Sequence, residues 1–338
     1  MAVAVEPMVS VQVARALVDR LRERGVPLGR LLAAADIKAS RLEDVNDHVP
    51  LRSYVSLFEA AAELAGDPLL GLALSATAGP ETLGALGFLF LSSETLGQGL
   101  TNLCRYVSAV QDATANAVEV EGGLATIVYQ ISDDRIAPRH QDAEYSLGVI
   151  IRLVRAYAKG RCDPMEVHLE HGPKAPRRSY EHAFGCPVYF RQTRNAVVLN
   201  AADLDIRSVA LSDALAEILE TQLRDRVESR SRMQSVGDRV LGALTPTSIQ
   251  QKVSFGHLAQ EMRISPSTLY RRLNSENKSF QRLLNDRREA LAKRLLANSR
   301  MSIAEIASVL GYAENASFTR AFRRWTKVSP RQYRDGLR

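Results

Sequence analysis

Two short segments near the end of the sequence combine arginine with hydroxyl-bearing side chains. The guanidinium group of arginine can form two parallel hydrogen bonds with the edge of a guanine base, and it also binds phosphate. Serine, threonine and tyrosine hydroxyls can reach base edges or phosphate oxygens. The pattern therefore predicts recognition of a nucleic acid. The residues concerned are Ser267, Thr268, Tyr270, Arg271 and Arg272 in the first segment, and Ser317, Thr319, Arg320, Arg323 and Arg324 in the second.

The charge distribution favours the same chemistry, but only for the last third of the chain. Residues 236–338 contain 19 lysines and arginines against 8 aspartates and glutamates, a net charge of +11. The preceding 235 residues contain 25 basic and 30 acidic side chains, a net charge of −5. Such a basic region indicates a polyanionic partner, although a merely solvated basic surface has the same composition.

An internal repeat places the two segments on equivalent helices. Apolar residues at helical spacing occur in two sets that lie 48 residues apart, namely Phe255, Leu258, Ala259 and Met262, then Ile303, Ile306, Ala307 and Leu310. Each set predicts one buried face of a short helix, and a serine suited to the N-cap precedes it, Ser254 or Ser302. A turn and a second short helix follow each time, which is the helix-turn-helix pattern.

The second helix of each pair carries the candidate contact residues. Ser265 and Asn315 are the predicted N-caps, and the residues predicted to face the core are Leu269, Leu273, Phe318 and Phe322. Gly311 suits a left-handed turn in the second copy, whereas Arg263 at the matching place in the first copy is a departure. The outward faces are polar and basic in both copies. We therefore expect two recognition helices, with solvated surface as the alternative.

Residues 279–298 predict one long helix between the two copies. Twenty residues span roughly 30 Å at about 1.5 Å per residue. That length is close to the roughly 34 Å that separates successive major grooves on one side of DNA. A rigid helix of this length could present both recognition helices to the same side of a duplex.

The first two hundred residues mix helical and strand patterns. The spacing predicts helices over residues 9–24, 51–64, 94–115 and 141–159, and strands over 118–120, 124–131, 165–169 and 195–199. We predict an α+β domain over residues 1–205, a helical linker over 206–235 and an all-α domain with two helix-turn-helix units over 236–338. The linker contains a short apolar stripe that suits either a connector or a dimerisation helix, formed by Leu215, Ile218, Leu219 and Leu223.

Other kinds of chemistry find little support. Cys104, Cys162 and Cys186 are too few and too far apart for a disulfide framework or a zinc ribbon. His168 and His171 would point to opposite faces of a strand, so no metal site is expected. We expect no catalytic residues and no cofactor, because the sequence shows no phosphate loop and no nucleophile with a base.

The compartment follows from two further patterns. The first ten residues lack the basic start of a signal peptide. The longest apolar run, residues 83–91, is too short to cross a bilayer. We therefore expect a cytoplasmic protein with no membrane partner.

The last hundred residues resemble the DNA-binding domain of AraC/XylS-type transcription regulators. The stretch SIAEIASVLGYAENASFTRAFRRWTKVSPRQYR, residues 302–334, carries the family pattern, and SFGHLAQEMRISPSTLYRRLNSENKSFQRLL, residues 254–284, is similar to the family's first unit. Lys327 stands where the family commonly has glycine. The segments TLGALGFLFLSSETLGQGLTNLCRY and VHLEHGPKAPRRSYEHAFGCPVYF resemble the arabinose-binding-like sensor domain of a subset of this family.

The resemblance implies a regulator that binds promoter DNA in a sequence-specific way. By position it implies base contacts from Ser267, Tyr270 and Arg271, and from Asn315, Ala316 and Arg320. Arg272, Arg323 and Arg324 are then expected to contact phosphate, which adds affinity without sequence information. The expected partners are double-stranded DNA, RNA polymerase, a second copy of the chain and a small-molecule effector of unknown identity.

Two alternatives belong to other functional classes. An enzyme fused to the same DNA-binding units, as in bifunctional DNA-repair methyltransferases, would need a cluster of zinc-binding cysteines and a reactive cysteine in a Pro-Cys setting. Here Cys186 precedes Pro187, and the chain has three scattered cysteines. A protein that coats DNA without regard to sequence would not need paired recognition helices.

Overall fold

The computed structural model describes residues 6–45, 47–207, 213–233, 235–299 and 301–336. Residues 208–212 and 234 of the predicted linker thus lie outside the described residues, as do 1–5, 46, 300, 337 and 338 of the two predicted domains. The chain divides into an N-terminal unit, Glu6–Arg230, and a C-terminal unit that contains Ser231–Arg338. Across the described ranges, we find no helix whose length and apolar character would let it span a bilayer.

Helices form one half of the N-terminal unit around a small sheet, in which β1 (Met8–Ser10) pairs antiparallel with β2 (His48–Pro50). The helices are α1 (Val11–Glu23), α2 (Leu28–Ala34), α3 (Leu51–Ala65), α4 (Leu70–Ser75), α5 (Ala85–Ser92) and α6 (Leu96–Tyr106). Helix α1 begins where the Ser10 hydroxyl accepts a hydrogen bond from the Gln12 amide, and it buries Val13, Leu17 and Leu21 at the predicted spacing.

A five-stranded sheet forms the other half, in the order β3-β4-β7-β5-β6. Its strands are β3 (Thr114–Glu121), β4 (Leu124–Ile131), β5 (Glu166–Leu169), β6 (Val188–Phe190) and β7 (Asn195–Asn200), with α7 (His140–Ala158) between β4 and β5 and α8 (Arg177–Phe184) between β5 and β6. The predicted β3–β4 hairpin turns at Gly122 and Gly123, whose φ angles of 58° and 79° suit glycine.

The helix predicted over residues 94–115 is wrong in its second half. Helix α6 ends at Tyr106, a short 3₁₀ turn spans Val107–Ala109, and β3 begins at Thr114. Strand β3 pairs with β4 from Thr114 opposite Ile131 to Glu121 opposite Leu124. Pairing along a whole neighbouring strand outweighs the weak helical preference of a local segment. The sequence therefore predicts the hairpin but not where β3 begins.

Helix α9 (Asp213–Met233) follows the sheet and contains the predicted apolar stripe. Leu223 is fully buried in the core of the N-terminal unit, and Leu219 packs against that core. Ile218 is 66% exposed, and Leu215 is also exposed. The Tyr106 hydroxyl donates a hydrogen bond of 2.7 Å to the carboxylate of Glu220. The inner part of the stripe thus holds the helix to its own chain.

The C-terminal unit is helical throughout its described residues. Its elements are α10 (Val236–Ala243), α11 (Pro246–Gln250), α12 (Phe255–Glu261), α13 (Pro266–Ser275), α14 (Phe280–Asn298), α15 (Ile303–Val309), α16 (Asn315–Thr326) and α17 (Pro330–Asp335). It contains two separate hydrophobic cores, one around α12 and α13 and one around α15 and α16. Helix α14 contributes Leu283 and Leu284 to the first and Leu291 and Leu295 to the second.

A buried pair of polar side chains joins α7 to the loop after β5. Glu144 is fully buried, and its Oε1 lies 3.3 Å from Nε2 of His171. Nδ1 of His171 donates to the Gly172 carbonyl, 2.8 Å away. Burial raises the pKa of Glu144 to about 8 and lowers the pKa of His171 to about 4. Near pH 7 the pair is therefore a neutral acid facing a neutral imidazole.

The prediction that His168 and His171 lie on one strand is wrong. His168 lies on β5 and pairs with Glu166 at 2.8 Å, but β5 ends at Leu169, so His171 is not part of the strand. Within the described ranges, we find no group of three or more histidine, cysteine or acidic side chains placed to hold a metal ion.

We expect Glu144→Gln to stabilise the N-terminal unit increasingly as the pH rises. The carboxyl has a pKa of about 8 when folded and 4.5 as a free side chain. The contribution of Glu144 to wild-type stability therefore falls as the pH rises between these values, by at most about 1.4 kcal/mol per pH unit. The amide does not titrate and can donate to His171. Thermal unfolding at pH 5 and pH 8 should show a larger advantage of the variant at pH 8. An equal effect at both pH values would contradict the assignment, and Glu63→Gln, at an exposed position, is the control.

Candidate nucleic-acid interface

Serine caps determine where three of the four helices in the two helix-turn-helix units begin. The Ser254, Ser265 and Ser302 hydroxyls accept hydrogen bonds of 3.1 to 3.2 Å from the amides of His257, Thr268 and Glu305. At α15 the Glu305 carboxylate also accepts from the Ser302 amide at 2.6 Å, which completes a capping box. These three predicted caps are confirmed.

The turn inside each unit has the same backbone conformation. Arg263 adopts φ 54° and Gly311 adopts φ 74°. In the first unit the Ile264 amide donates to the Ala259 carbonyl at 3.0 Å, and in the second the Tyr312 amide donates to the Ala307 carbonyl at 2.9 Å. The arginine at position 263 therefore does not change the turn, and the two turns have the same backbone conformation.

A steric difference explains why glycine occurs in only one of these turns. A Cβ atom at Gly311 would lie 2.4 Å from the carbonyl oxygen of Ile249, which belongs to the backbone and cannot move aside easily. Arg263 is exposed, so its side chain meets no such obstacle, and its left-handed backbone conformation lowers the stability of the fold by about 1 kcal/mol.

Helix α13 presents its predicted contact residues to solvent. Leu269 and Leu273 are buried in the first core, so the helix is anchored on that side. Tyr270 is 63% exposed, although it is a large aromatic side chain. The remaining exposed members of the predicted set are Ser267, Arg271 and Arg272, and Thr268 is half-buried at the edge of the face.

Helix α16 is anchored through aromatic rings. Phe318 and Phe322 are fully buried, with ring centroids 5.7 Å apart, and Phe322 also packs against Tyr333 of α17. This anchoring turns the opposite side outward, where the exposed predicted residues are Asn315, Ala316, Arg320, Arg323 and Arg324, with Ser317 and Thr319 half-buried. The Arg320 guanidinium donates to the Ser317 hydroxyl at 3.1 Å, so its side chain is already oriented.

The N-cap role predicted for Asn315 is wrong. The helix begins one residue earlier, so that Glu314 is the N-cap and Asn315 is the first helical residue. Glu314 makes no side-chain capping hydrogen bond. The Asn315 side chain is therefore not used to cap α16 and is exposed on its first turn.

The arginines of the two outward faces are not neutralised by the protein. Among the described residues, no carboxylate lies within 4 Å of the guanidinium groups of Arg271, Arg272, Arg320, Arg323 or Arg324. By contrast, Lys278 and Lys293 on the same unit are paired with Glu276 and Glu289. Uncompensated cations on two similar helix faces are suited to a regularly spaced polyanion.

One basic residue was missed in the sequence. Arg239 of α10 is half-buried, and burial together with the nearby charge of Arg272 lowers its pKa. Arg239 thus extends the basic surface from α13 onto α10. The excess of positive charge after residue 236 was the available signal, but no repeat marks α10.

The cysteines do not have the properties of a reactive centre. Burial raises the pKa of Cys104 and Cys162 to about 12 and that of Cys186 to about 11. A thiol that attacks a substrate usually has a lowered pKa, because the thiolate is the nucleophile. The burial and the raised pKa of these thiols thus give no support to a methyl-accepting cysteine.

Comparison with protein families matches both parts of the chain. Residues 25–208 match the family described as the arabinose-binding domain of AraC transcription regulator. Residues 258–336 match a helix-turn-helix domain family.

Curated relatives align over nearly the whole length. The chain is 26% identical over 331 residues to the ornithine utilization regulator of Pseudomonas aeruginosa, covering 97% of this chain and 96% of the relative. It is 26% identical over 321 residues to the transcriptional regulator VirS of Mycobacterium tuberculosis, covering 94% and 93%. Among solved structures, the transcriptional regulator CdpR of Pseudomonas aeruginosa is 22% identical, covers 93% of this chain and 98% of its own, and gives a TM-score of 0.46.

We expect Lys327→Gly to stabilise the second helix-turn-helix unit by about 1 kcal/mol, because glycine adopts the left-handed conformation without steric cost. Lys327 ends α16 with φ 68°, and its amide donates to the Arg323 carbonyl at 2.9 Å, a bond that glycine keeps. Chemical denaturation measures the change. Lys293→Gly is the matched control, since Lys293 lies inside α14 and glycine there should destabilise by about 1 kcal/mol. Two variants that destabilise equally would argue against strain at Lys327.

Proposed function

The chain belongs to the AraC family of transcription regulators that carry an arabinose-binding-type N-terminal domain, and from this premise we propose how it reads and responds. It is a DNA-binding transcription regulator, like its relatives. We propose that α13 and α16 enter successive major grooves of a promoter and read two short sequence boxes. The observation that carries this proposal is the pair of similar helix faces whose arginines have no carboxylate of the described residues within 4 Å.

Base recognition is assigned to exposed residues of each face that match the positions from which the family usually contacts bases. These are Ser267, Tyr270 and Arg271 on α13, and Asn315, Ala316 and Arg320 on α16. The hydrogen bond from Arg320 to Ser317 supports the assignment, because it lowers the entropy lost when the guanidinium pairs with a guanine.

The flanking residues are assigned to the DNA backbone. Arg272, Arg323 and Arg324 lie towards the C-terminal ends of the two helices, beyond the turn that enters the groove first. Thr268, Ser317 and Thr319 are half-buried at the edges of the faces, where their hydroxyls suit phosphate oxygens. Helix α14, at 19 residues and roughly 28 Å, supports a spacing of about one helical turn between the boxes.

Control of DNA binding is assigned to the N-terminal domain. We propose that residues 1–205 bind a small-molecule effector or a second copy of the chain, that 206–235 form the linker, and that 236–338 bind DNA. The exposed Leu215 and Ile218 on α9 are available for a homodimer contact. Such a regulator works where promoters and RNA polymerase are, so we place it in the bacterial cytoplasm with no enzymatic role.

The first test of this proposal is selection of bound sequences from random duplex DNA at near-physiological salt, with the full chain. We expect an enriched motif with two boxes about one helical turn apart. A bound pool with no enriched sequence would contradict specific recognition and would favour non-specific coating of DNA.

We expect Arg320→Ala to weaken binding to the selected site by about 1–3 kcal/mol and to relax the preference at one base pair. Titration against sites mutated at single positions measures both effects. Arg22→Ala is the control, because Arg22 is an exposed arginine of the N-terminal unit, paired with Asp19. An equal loss of affinity for every sequence would show that Arg320 contacts phosphate.

Arg323→Ala should behave differently from Arg320→Ala. It should weaken binding to all sequences alike and lower the slope of log affinity against log salt by about one, because one phosphate contact is lost. Binding measured over a series of salt concentrations gives the slope. A slope equal to that of the wild type would contradict this role.

A further inference from the structure

The start of α10 is capped by a side chain that lies 40 positions further along the chain. The Val236 amide donates to Oε1 of Glu276 at 2.6 Å, and the Gly237 amide donates to Oε2 at 2.8 Å. The first amides of a helix have no partner within the helix, and the positive end of its dipole favours an anion. Both oxygens of one carboxylate are thus used on the first turn of α10.

The ammonium group of Lys278 binds three side chains around the start of α10. Nζ of Lys278 lies 3.1 Å from the Ser235 hydroxyl, 3.2 Å from Oδ1 of Asp238 and 3.4 Å from Oε2 of Glu276. We call Ser235, Asp238, Glu276 and Lys278 the α10 clamp. The side chains of Asp238, Glu276 and Lys278 are 19%, 22% and 20% exposed, so the ion pairs are shielded in part from solvent.

A glycine makes the close approach possible. A Cβ atom at Gly237 would lie 2.2 Å from Cδ and 2.6 Å from Nζ of Lys278. A larger residue at this position, in the first turn of α10, would displace the lysine side chain.

Two of the clamp residues, Glu276 and Lys278, belong to the turn that ends α13. The Glu276 amide donates to the carbonyls of Arg272 and Leu273, at 3.3 and 3.1 Å, and the Lys278 amide donates to Leu273 at 2.9 Å. Glu276 therefore moves with the helix that carries Tyr270 and Arg271. At its other end the clamp holds α10, whose cap at Ser235 comes two residues after the end of α9.

The second recognition helix is held differently. The turn after α16 leads to Ser329, whose cap on α17 is local and is completed by Gln332. The carboxylate of Glu305 likewise caps only its own helix. The long-range cap is thus a feature of the first helix-turn-helix unit.

We propose that Glu276 and Lys278 are positioning residues that set the angle of α13 against α10. Recognition of the first box by α13 then depends on α10, the first helix after the linker. This inference rests on the proposed function of α13 as a recognition helix. The second box would be read without this dependence.

The test uses the full chain and three versions of the selected DNA site, with both boxes intact or with either one scrambled. Arg271→Ala identifies the box read by α13. Glu276→Ala should lower affinity for the intact site on the order of tenfold, the loss of about one good base contact, because α13 would no longer be held at the angle that aligns Arg271. It should abolish discrimination at the α13 box and leave discrimination at the other box as in the wild type. Glu276→Gln, which keeps the shape and one acceptor oxygen, should retain most of the affinity and most of the discrimination at the α13 box.

Matched variants separate positioning from general stability. Glu305→Ala removes a carboxylate cap from the second unit, so it should affect the α16 box alone. If Glu276→Ala fails to fold, Lys278→Met decides the question, because it should also weaken discrimination at the α13 box, leave the other box as in the wild type and speed hydrogen exchange of the Val236 and Gly237 amides. Equal losses at both boxes, or unchanged discrimination at the α13 box, would overturn the inference.

Failure of the proposed function has a separate outcome. If Arg271→Ala and Arg320→Ala leave base discrimination unchanged in an otherwise wild-type chain, α13 and α16 are not the recognition helices. The clamp would then have no recognition helix to position, and the inference would fall together with the function on which it rests.

Discussion

Burial against α14 is the constraint on which the C-terminal unit depends. Each helix-turn-helix unit consists of helices of 7 to 12 residues, which are too short to be stable alone. Leu283 and Leu284 complete the first core, and Leu291 and Leu295 complete the second. Between them Arg287 is buried and donates to the Leu244 carbonyl at 3.3 Å, so the helix also anchors the segment before α11. One helix thus supplies part of both cores.

The recognition faces follow from that burial. Because Leu269 and Leu273 must lie in the first core and Phe318 and Phe322 in the second, the opposite sides of α13 and α16 are turned towards solvent. No acidic side chain within the described ranges is placed to neutralise the arginines there, and the charge is therefore available to DNA. Hydrophobic burial orients the helices, and electrostatics supplies the affinity.

Much of this could be predicted from the sequence, because the relevant information is local. The 48-residue repeat, the serine caps and the apolar spacing each depend on residues within one or two helical turns of each other. The prediction of a helix over 94–115 is wrong in its second half because β3 is stabilised by its pairing with β4, which the local spacing of residues does not reveal. The predicted N-cap at Asn315 is wrong by one residue, and side-chain type alone does not locate the start of a helix that closely. The contact between Glu276 and the start of α10 joins positions 40 residues apart, so only the folded chain shows it.

The two helix-turn-helix turns share a backbone conformation but differ in what surrounds them. At Gly311 the carbonyl of Ile249 leaves no space for a side chain, whereas Arg263 extends into solvent. The two copies of the repeat consequently differ in which residues their turns can hold. The turn of the second copy admits one amino acid, while that of the first can exchange its residue at modest cost in stability. Position 263 is for this reason a suitable attachment point for a fluorescent or spin label close to the first recognition helix. A label at position 311, in the equivalent turn of the second unit, would disrupt packing.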